Sequence, residues 1–206
     1  MDLTAPSETD AYMLATRQRP LTVEEYHRMA EASILSEDDR VELLDGRLIA
    51  MSPIGPAHLH CVNRLNELLS RRLYATDDPP ARLGVQNPIQ LSDTSEPEPD
   101  VVLLRPGAPQ DRTPTPADVL LVVEVAVTSE DYDRSVKTSR YATAGVPEYW
   151  LVDLEQEVVD VARDPDDDTS AEHIRHRRGD ALPLPASIDA DPIPVGDILA
   201  DHTDGD

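Results

Sequence analysis

The stretch Asp118-Val119-Leu120-Leu121-Val122-Val123-Glu124-Val125-Ala126-Val127 is the longest apolar run in the chain, and past its opening aspartate a single charge interrupts it. A short run of valine and leucine, lacking the polar alternation of a half-exposed strand, reads as a central β-strand covered on both faces. Glu124 is the outlier in that strand. An ionised carboxylate in such surroundings is costly unless a cation or hydrogen-bond donors meet it. Taken alone, Glu124 reads equally well as facing solvent at the strand's end, as pairing with an arginine such as Arg140, or as part of a site.

Working outward toward the C-terminus, Ser129 or Asp131 can cap a helix that Gly145 ends, with Pro147 just beyond. On that helix Asp133, Lys137 and Tyr141 fall at i, i+4 and i+8, hence on one face. Glu148 to Asp153 reads as the next strand, paired with Gln156 to Ala162. An acidic turn over Asp164 to Thr169, a weak strand over Glu172 to Arg178 and a short helix near Val195 to Ala200 follow.

Working outward toward the N-terminus, Pro97-Glu98-Pro99 leads into Asp100-Val101-Val102-Leu103-Leu104, a second short buried strand opened by an aspartate. Asp100 reads either as a site residue or as a cap on the turn after Pro99. Arg82 to Leu91 reads as a further strand, with Pro88 marking an edge or irregularity. From His58 to Tyr74 the residues Leu59, Val62, Leu65, Leu69 and Leu73 recur at three and four, the spacing of an amphipathic helix. Arg64, Arg71 and Arg72 lie on its polar surfaces and make it the most basic element. Two strand-like runs, 40–44 and 47–51, flank Asp45-Gly46 and predict a hairpin in which Glu42 faces opposite to Val41 and Leu43. Thr22 and Glu25 stand at capping-box spacing and start a helix reaching about Ala32. Residues 1–20 lack periodicity and read as a flexible arm, 21–200 as one domain, and 201–206 as an acidic tail. The order of elements predicts an α/β fold with a mixed central sheet flanked by helices.

Composition narrows the function. The 206 residues carry 18 basic and 41 acidic side chains, a net charge of −23, which repels nucleic acid unless a metal or a local arginine patch bridges the phosphates. One cysteine, Cys61, excludes an internal disulfide and a cysteine-built metal cage, and reads as a core residue. No apolar run approaches a membrane span and the N-terminus has no secretory pattern, so a soluble cytoplasmic protein is expected. His58 and His60 point to different faces of their helix, while His173 and His176 read as surface residues.

Only one of the 18 basic residues is a lysine, Lys137. A compact ammonium with a tunable pKa is chemically distinct from the planar, permanently charged guanidinium. Two strand acids, Asp100 and Glu124, followed by a helix offering that lysine, form a minimal kit for metal-assisted hydrolysis at one end of a sheet. The bland alternative is a lysine left by chance on a solvated helix face.

Glu42 in Val-Glu-Leu-Leu-Asp-Gly, Pro99-Asp100-Val-Val, Leu-Val-Val-Glu124-Val and Lys137 ahead of Tyr141-Ala-Thr-Ala-Gly-Val-Pro-Glu-Tyr-Trp-Leu-Val-Asp153 resemble the Uma-type putative restriction endonucleases of the PD-(D/E)XK nuclease superfamily. The resemblance spans about residues 20–200. It implies a restriction-endonuclease-like fold and a metal-dependent endonuclease acting on DNA. It also implies that Asp100 and Glu124 hold Mg²⁺ or Mn²⁺, that Glu42 joins the metal site, and that Lys137 is the catalytic lysine. His58 matches a histidine of that family, and Arg64, Arg71 and Arg72 become candidates for nucleic-acid backbone contact. The superfamily places its lysine two residues after the second acid, where this chain has Ala126, so Lys137 stands displaced onto the following helix. A Ser-Pro-Ser-like turn of relatives is replaced by Ala126-Val127-Thr128-Ser129. Two rival readings remain: a non-catalytic module of the same fold kept for partner binding or homodimer formation, and an enzyme acting on a smaller phosphate ester.

Overall fold

The structure, a computed structural model, describes residues 19–36, 39–51, 54–127, 131–163 and 172–199, with backbone alone for 131–136 and 172. The expected N-terminal arm up to residue 18, the Ser129 cap, the acidic turn at 164–169 and the tail at 201–206 lie outside the described residues.

The elements in chain order are α1 (Val23–Glu31), β1 (Val41–Leu44), β2 (Arg47–Ala50), α2 (Pro56–Leu73), β3 (Arg82–Val85), β4 (Val101–Leu104), β5 (Val119–Ala126), α3 (Asp131–Thr143), β6 (Glu148–Asp153), β7 (Val158–Arg163), β8 (Glu172–Arg177), β9 (Ala181–Leu182), β10 (Ile193–Pro194) and α4 (Val195–Ile198). Six strands form one sheet in the order β3-β4-β5-β6-β7-β8. Only β5 and β6 run parallel, joined by the α3 crossover, and every other neighbouring pair is antiparallel. The predicted mixed sheet flanked by helices is the observed architecture.

The Asp118–Val127 run becomes β5, between β4 and β6, and from Val119 to Val123 all five residues are buried. Alternation sends its side chains to two layers. Leu121, Val123 and Val125 join Val101, Leu103, Trp150 and Val152 beneath α2 and the C-terminal segment. Val119 and Val122 join Val102, Leu104, Tyr149 and Leu151 in the layer that holds Tyr141 of α3. Leu65, Leu69, Leu73 and Trp150 are wholly inaccessible, and each such side chain contributes roughly 1.5–3 kcal/mol through removal from water.

Two expectations are corrected. The predicted strand over Arg82–Leu91 ends at Val85, because Gln86 turns to a positive φ of 51° ahead of Asn87-Pro88. Leu59 does not join the core: it is 52% exposed, and the buried stripe of α2 runs through Cys61, Val62, Leu65, Leu68, Leu69 and Leu73.

The N-terminal elements form a brace beside the sheet. Thr22 and Glu25 make the predicted capping box, with Glu25 N–H donating to Thr22 Oγ1 at 3.2 Å and Thr22 N–H donating to Glu25 Oε2 at 3.1 Å. The α1 residue Tyr26 donates its hydroxyl to Val41 O at 2.9 Å, which docks the helix on the hairpin. The hairpin turns through Asp45 (φ 49°) and Gly46 (φ 73°), both left-handed, as its two-residue loop requires. A Cβ at position 46 would stand 2.2 Å from Pro20 Cβ, so glycine is also needed for close packing.

Candidate active site

The antiparallel register pairs Val101 of β4 with Val123 of β5. Asp100, one residue before Val101, therefore lies beside Glu124, one residue after Val123. Asp100 does not spend its carboxylate capping the turn after Pro99. Its Oδ2 accepts from Val125 N–H across the strands at 2.8 Å and lies 3.0 Å from His58 Nε2, in the first turns of α2. The pair of acids is thus fixed by the ladder, and one of them is held further by a histidine.

Glu124 shares the sheet face of Val122, the face covered by α3. Two α3 side chains one helical turn apart reach the same oxygen. Lys137 Nζ donates to Glu124 Oε1 at 3.2 Å and Tyr141 Oη donates to it at 2.8 Å. Lys137 also lies 3.0 Å from Glu42 Oε1 on β1. The lysine displaced from the Ala126 position is therefore carried back over β5 by the crossover helix, and its ammonium stands between two carboxylates. Arg140, the sequence alternative for Glu124, instead holds Asp45 of the hairpin turn, with Nε 2.9 and 2.7 Å from the two carboxylate oxygens. That pair ties the hairpin to α3 and so brings Glu42 to the site. Glu42 is 4% exposed, and its Oε2 accepts from Glu98 N–H at 3.3 Å.

Crowding of acids sets the electrostatics. Burial pushes Glu124 up to about 7, the charges of Asp100 and Glu42 add to the rise, and Lys137 offsets part of it. For Lys137 burial acts downward, but Glu124 and Glu42 outweigh it and hold the ammonium well above the ordinary lysine value. Burial likewise raises Tyr141 well above the usual phenol range, so its hydroxyl remains a donor at neutral pH. Glu98 is raised by burial and by the nearby Glu42 and Asp100. Local spacing gave no sign of Glu98; its place between two prolines, two residues before Asp100, was the available signal.

Carboxylate oxygens from three elements are the donor chemistry that a hard cation such as Mg²⁺ or Mn²⁺ takes. Among the described residues, no three His, Cys, Asp or Glu side chains are already drawn together as a cation cage, and Lys137 stands between Glu42 and Glu124. The donor type therefore suits a divalent cation, while the arrangement itself is that of an ion pair, with the Lys137 ammonium between Glu42 and Glu124.

The arginines of α2 have other partners. Arg64 donates to Asp197 O at 3.0 Å, Arg72 to Asp191 O at 2.9 Å and Pro192 O at 3.1 Å, and Arg64 and Arg71 both pair with Glu67. Arg64 and Arg72 clamp the C-terminal segment, and Arg71 and Arg72 lie roughly 20 Å along the helix axis from His58 at 1.5 Å per residue. His60 and His173 are exposed, and Cys61 is buried, with burial pushing its thiol up to about 12. No helix among the described residues is long and apolar enough to cross a membrane.

Comparison with solved structures finds a similar fold in the crystal structure of a putative nuclease belonging to DUF820 from Anabaena variabilis. The TM-score is 0.67 at 14% identity, covering 87% of this chain and 98% of that one. A comparison with curated proteins finds no match. Residues 23–194 match the Uma2 family model, described as putative restriction endonuclease, which takes in all six sheet strands, the hairpin and every residue of the site. The chain belongs to the Uma2 family.

Proposed function

We propose that this protein is a divalent-cation-dependent endonuclease that hydrolyses phosphodiester bonds in DNA, acting in the cytoplasm. The observation that carries the reading is the placing of Lys137 Nζ within 3.2 Å of both Glu42 and Glu124, beside Asp100 on the neighbouring strand. Family membership and the likeness to the Anabaena protein support a nuclease.

Asp100, Glu124 and Glu42 would hold Mg²⁺ or Mn²⁺, whose chemistry is to polarise a phosphodiester oxygen and acidify a bound water. Lys137 keeps its proton throughout the neutral range. It therefore acts as a fixed positive donor, orienting the attacking water or stabilising the negative charge that builds on the reacting phosphorus oxygens. His58 holds the Asp100 carboxylate against Val125, which keeps one acid from turning toward the lysine. The chain's charge of −23 is unfavourable for DNA, so cation loading should be a condition for substrate approach as well as for chemistry.

The test is incubation of the purified protein with plasmid and Mg²⁺ or Mn²⁺. Nicking that EDTA abolishes, and that Asp100→Asn and Lys137→Ala variants with intact folds lose, is expected. Equal activity in both variants would overturn the site assignment. Hydrolysis of mononucleotide esters alone would move the substrate to a smaller phosphate ester. No hydrolysis under any metal or salt would favour a binding module of this fold.

A further inference from the structure

We infer that Tyr141 is a positioning residue for the cation site: its hydroxyl, with Lys137, engages Glu124 Oε1 and so turns Oε2 toward the cation. The inference rests on the nuclease reading of the same site. Tyr141 and Lys137 are four residues apart on α3, so their side chains rise from one face of the helix. Both reach Oε1, at 2.8 and 3.2 Å. A rigid donor on one oxygen restricts rotation of the carboxylate, and Tyr141 keeps that contact when Lys137 responds to the cation. The direction of the remaining oxygen is then set, on a residue that the ladder brings alongside Asp100.

The tyrosine is itself immobile. It is 1% exposed, sits in the layer of Val102, Val122 and Val146, and stacks on Tyr149 with ring centres 5.3 Å apart at 26°. A phenol so held costs little further ordering when it donates, unlike a long flexible side chain. Lysine alone could not do this. Its ammonium is shared with Glu42 and must respond when a divalent cation enters beside it, whereas the tyrosine hydroxyl is neutral and can stay in place. Partners that hold metal ligands in this way typically account for 10–100-fold in affinity or activity.

Tyr141→Phe removes one oxygen and keeps the packed ring. Mn²⁺ affinity by calorimetry, plasmid nicking with kcat and KM separated, and urea unfolding should be measured on the full chain. The variant is expected to fold as the wild type, to bind Mn²⁺ about tenfold more weakly, and to lose kcat with KM for DNA unchanged at saturating metal. A merely structural tyrosine would change the urea midpoint and leave Mn²⁺ affinity of the folded protein intact, and that result would overturn the inference. A wild type that binds Mn²⁺ but cleaves no nucleic acid would sink the nuclease reading, while the affinity difference would still support or refute the role of Tyr141. Absence of Mn²⁺ binding in the wild type would overturn both.

Discussion

Glu124→Gln should make the metal-free protein more stable at alkaline pH, although it removes a residue expected to be essential for activity. Glu124 is raised from the ordinary glutamate value of 4.5 to about 7, chiefly by burial. Between those values the native state holds a proton that the unfolded chain has released, so stability falls as pH rises. At 1.36 kcal/mol per pH unit, the rise corresponds to about 3 kcal/mol, absent below pH 4.5 and complete above about pH 7. Glutamine keeps an oxygen for the Tyr141 hydroxyl and for Lys137 but never ionises. The assay is urea unfolding of both proteins from pH 4.5 to 8 in a chelator. The quantity read is the stability difference between variant and wild type, in which titrating groups distant from Glu124 cancel and a constant amide offset does not affect the slope. It should climb by about 3 kcal/mol across the range and then level off. Parallel stability curves, or a wild type that gains on the variant with rising pH, would refute the reasoning.

Lys137→Met should cost the metal-free protein about 3 kcal/mol, because two buried carboxylates lose their shared cation; added Mg²⁺ should restore part of that loss in urea unfolding, and unchanged stability would count against the bridging role. Gly46→Ala should lower stability by roughly 2 kcal/mol, because φ is +73° and the new Cβ would overlap Pro20. The same change should reduce nicking, since the turn carries the Asp45 tether that places Glu42; a thermal melt and a nicking assay check both effects.

The central strand and the lysine-bearing helix were legible because each is a local pattern: an unbroken apolar run, and three residues at helical spacing. Glu124 declared itself by being charged where its neighbours are not. The partners that give the site its geometry were not legible in the same way. His58 and Asp100 are 42 residues apart, and Arg140 and Asp45 are 95 apart; spacing along a chain says nothing of such contacts. Periodicity also identifies a helix face without saying where along it the neighbouring sheet begins, and Leu59 lies on the apolar spacing but ahead of the buried stripe that starts at Cys61. The strand expected over Arg82–Leu91 failed at Gln86 for a related reason. Its apolar content continued while the backbone turned away, and Ile89 is buried from a loop. Arg64 and Arg72 read as part of a basic surface because their acceptors in the C-terminal segment are backbone carbonyls, which composition does not register.

The most direct test is the position of a bound cation. Crystals of the full chain soaked in Mn²⁺ should give an anomalous scattering peak within about 2.6 Å of carboxylate oxygens of Asp100 and Glu124, the reach of hard-cation coordination, with Glu42 adjacent and Lys137 Nζ moved from its place between the two glutamates. A peak elsewhere, or none at saturating Mn²⁺ with Lys137 still bridging Glu42 and Glu124, would contradict the account.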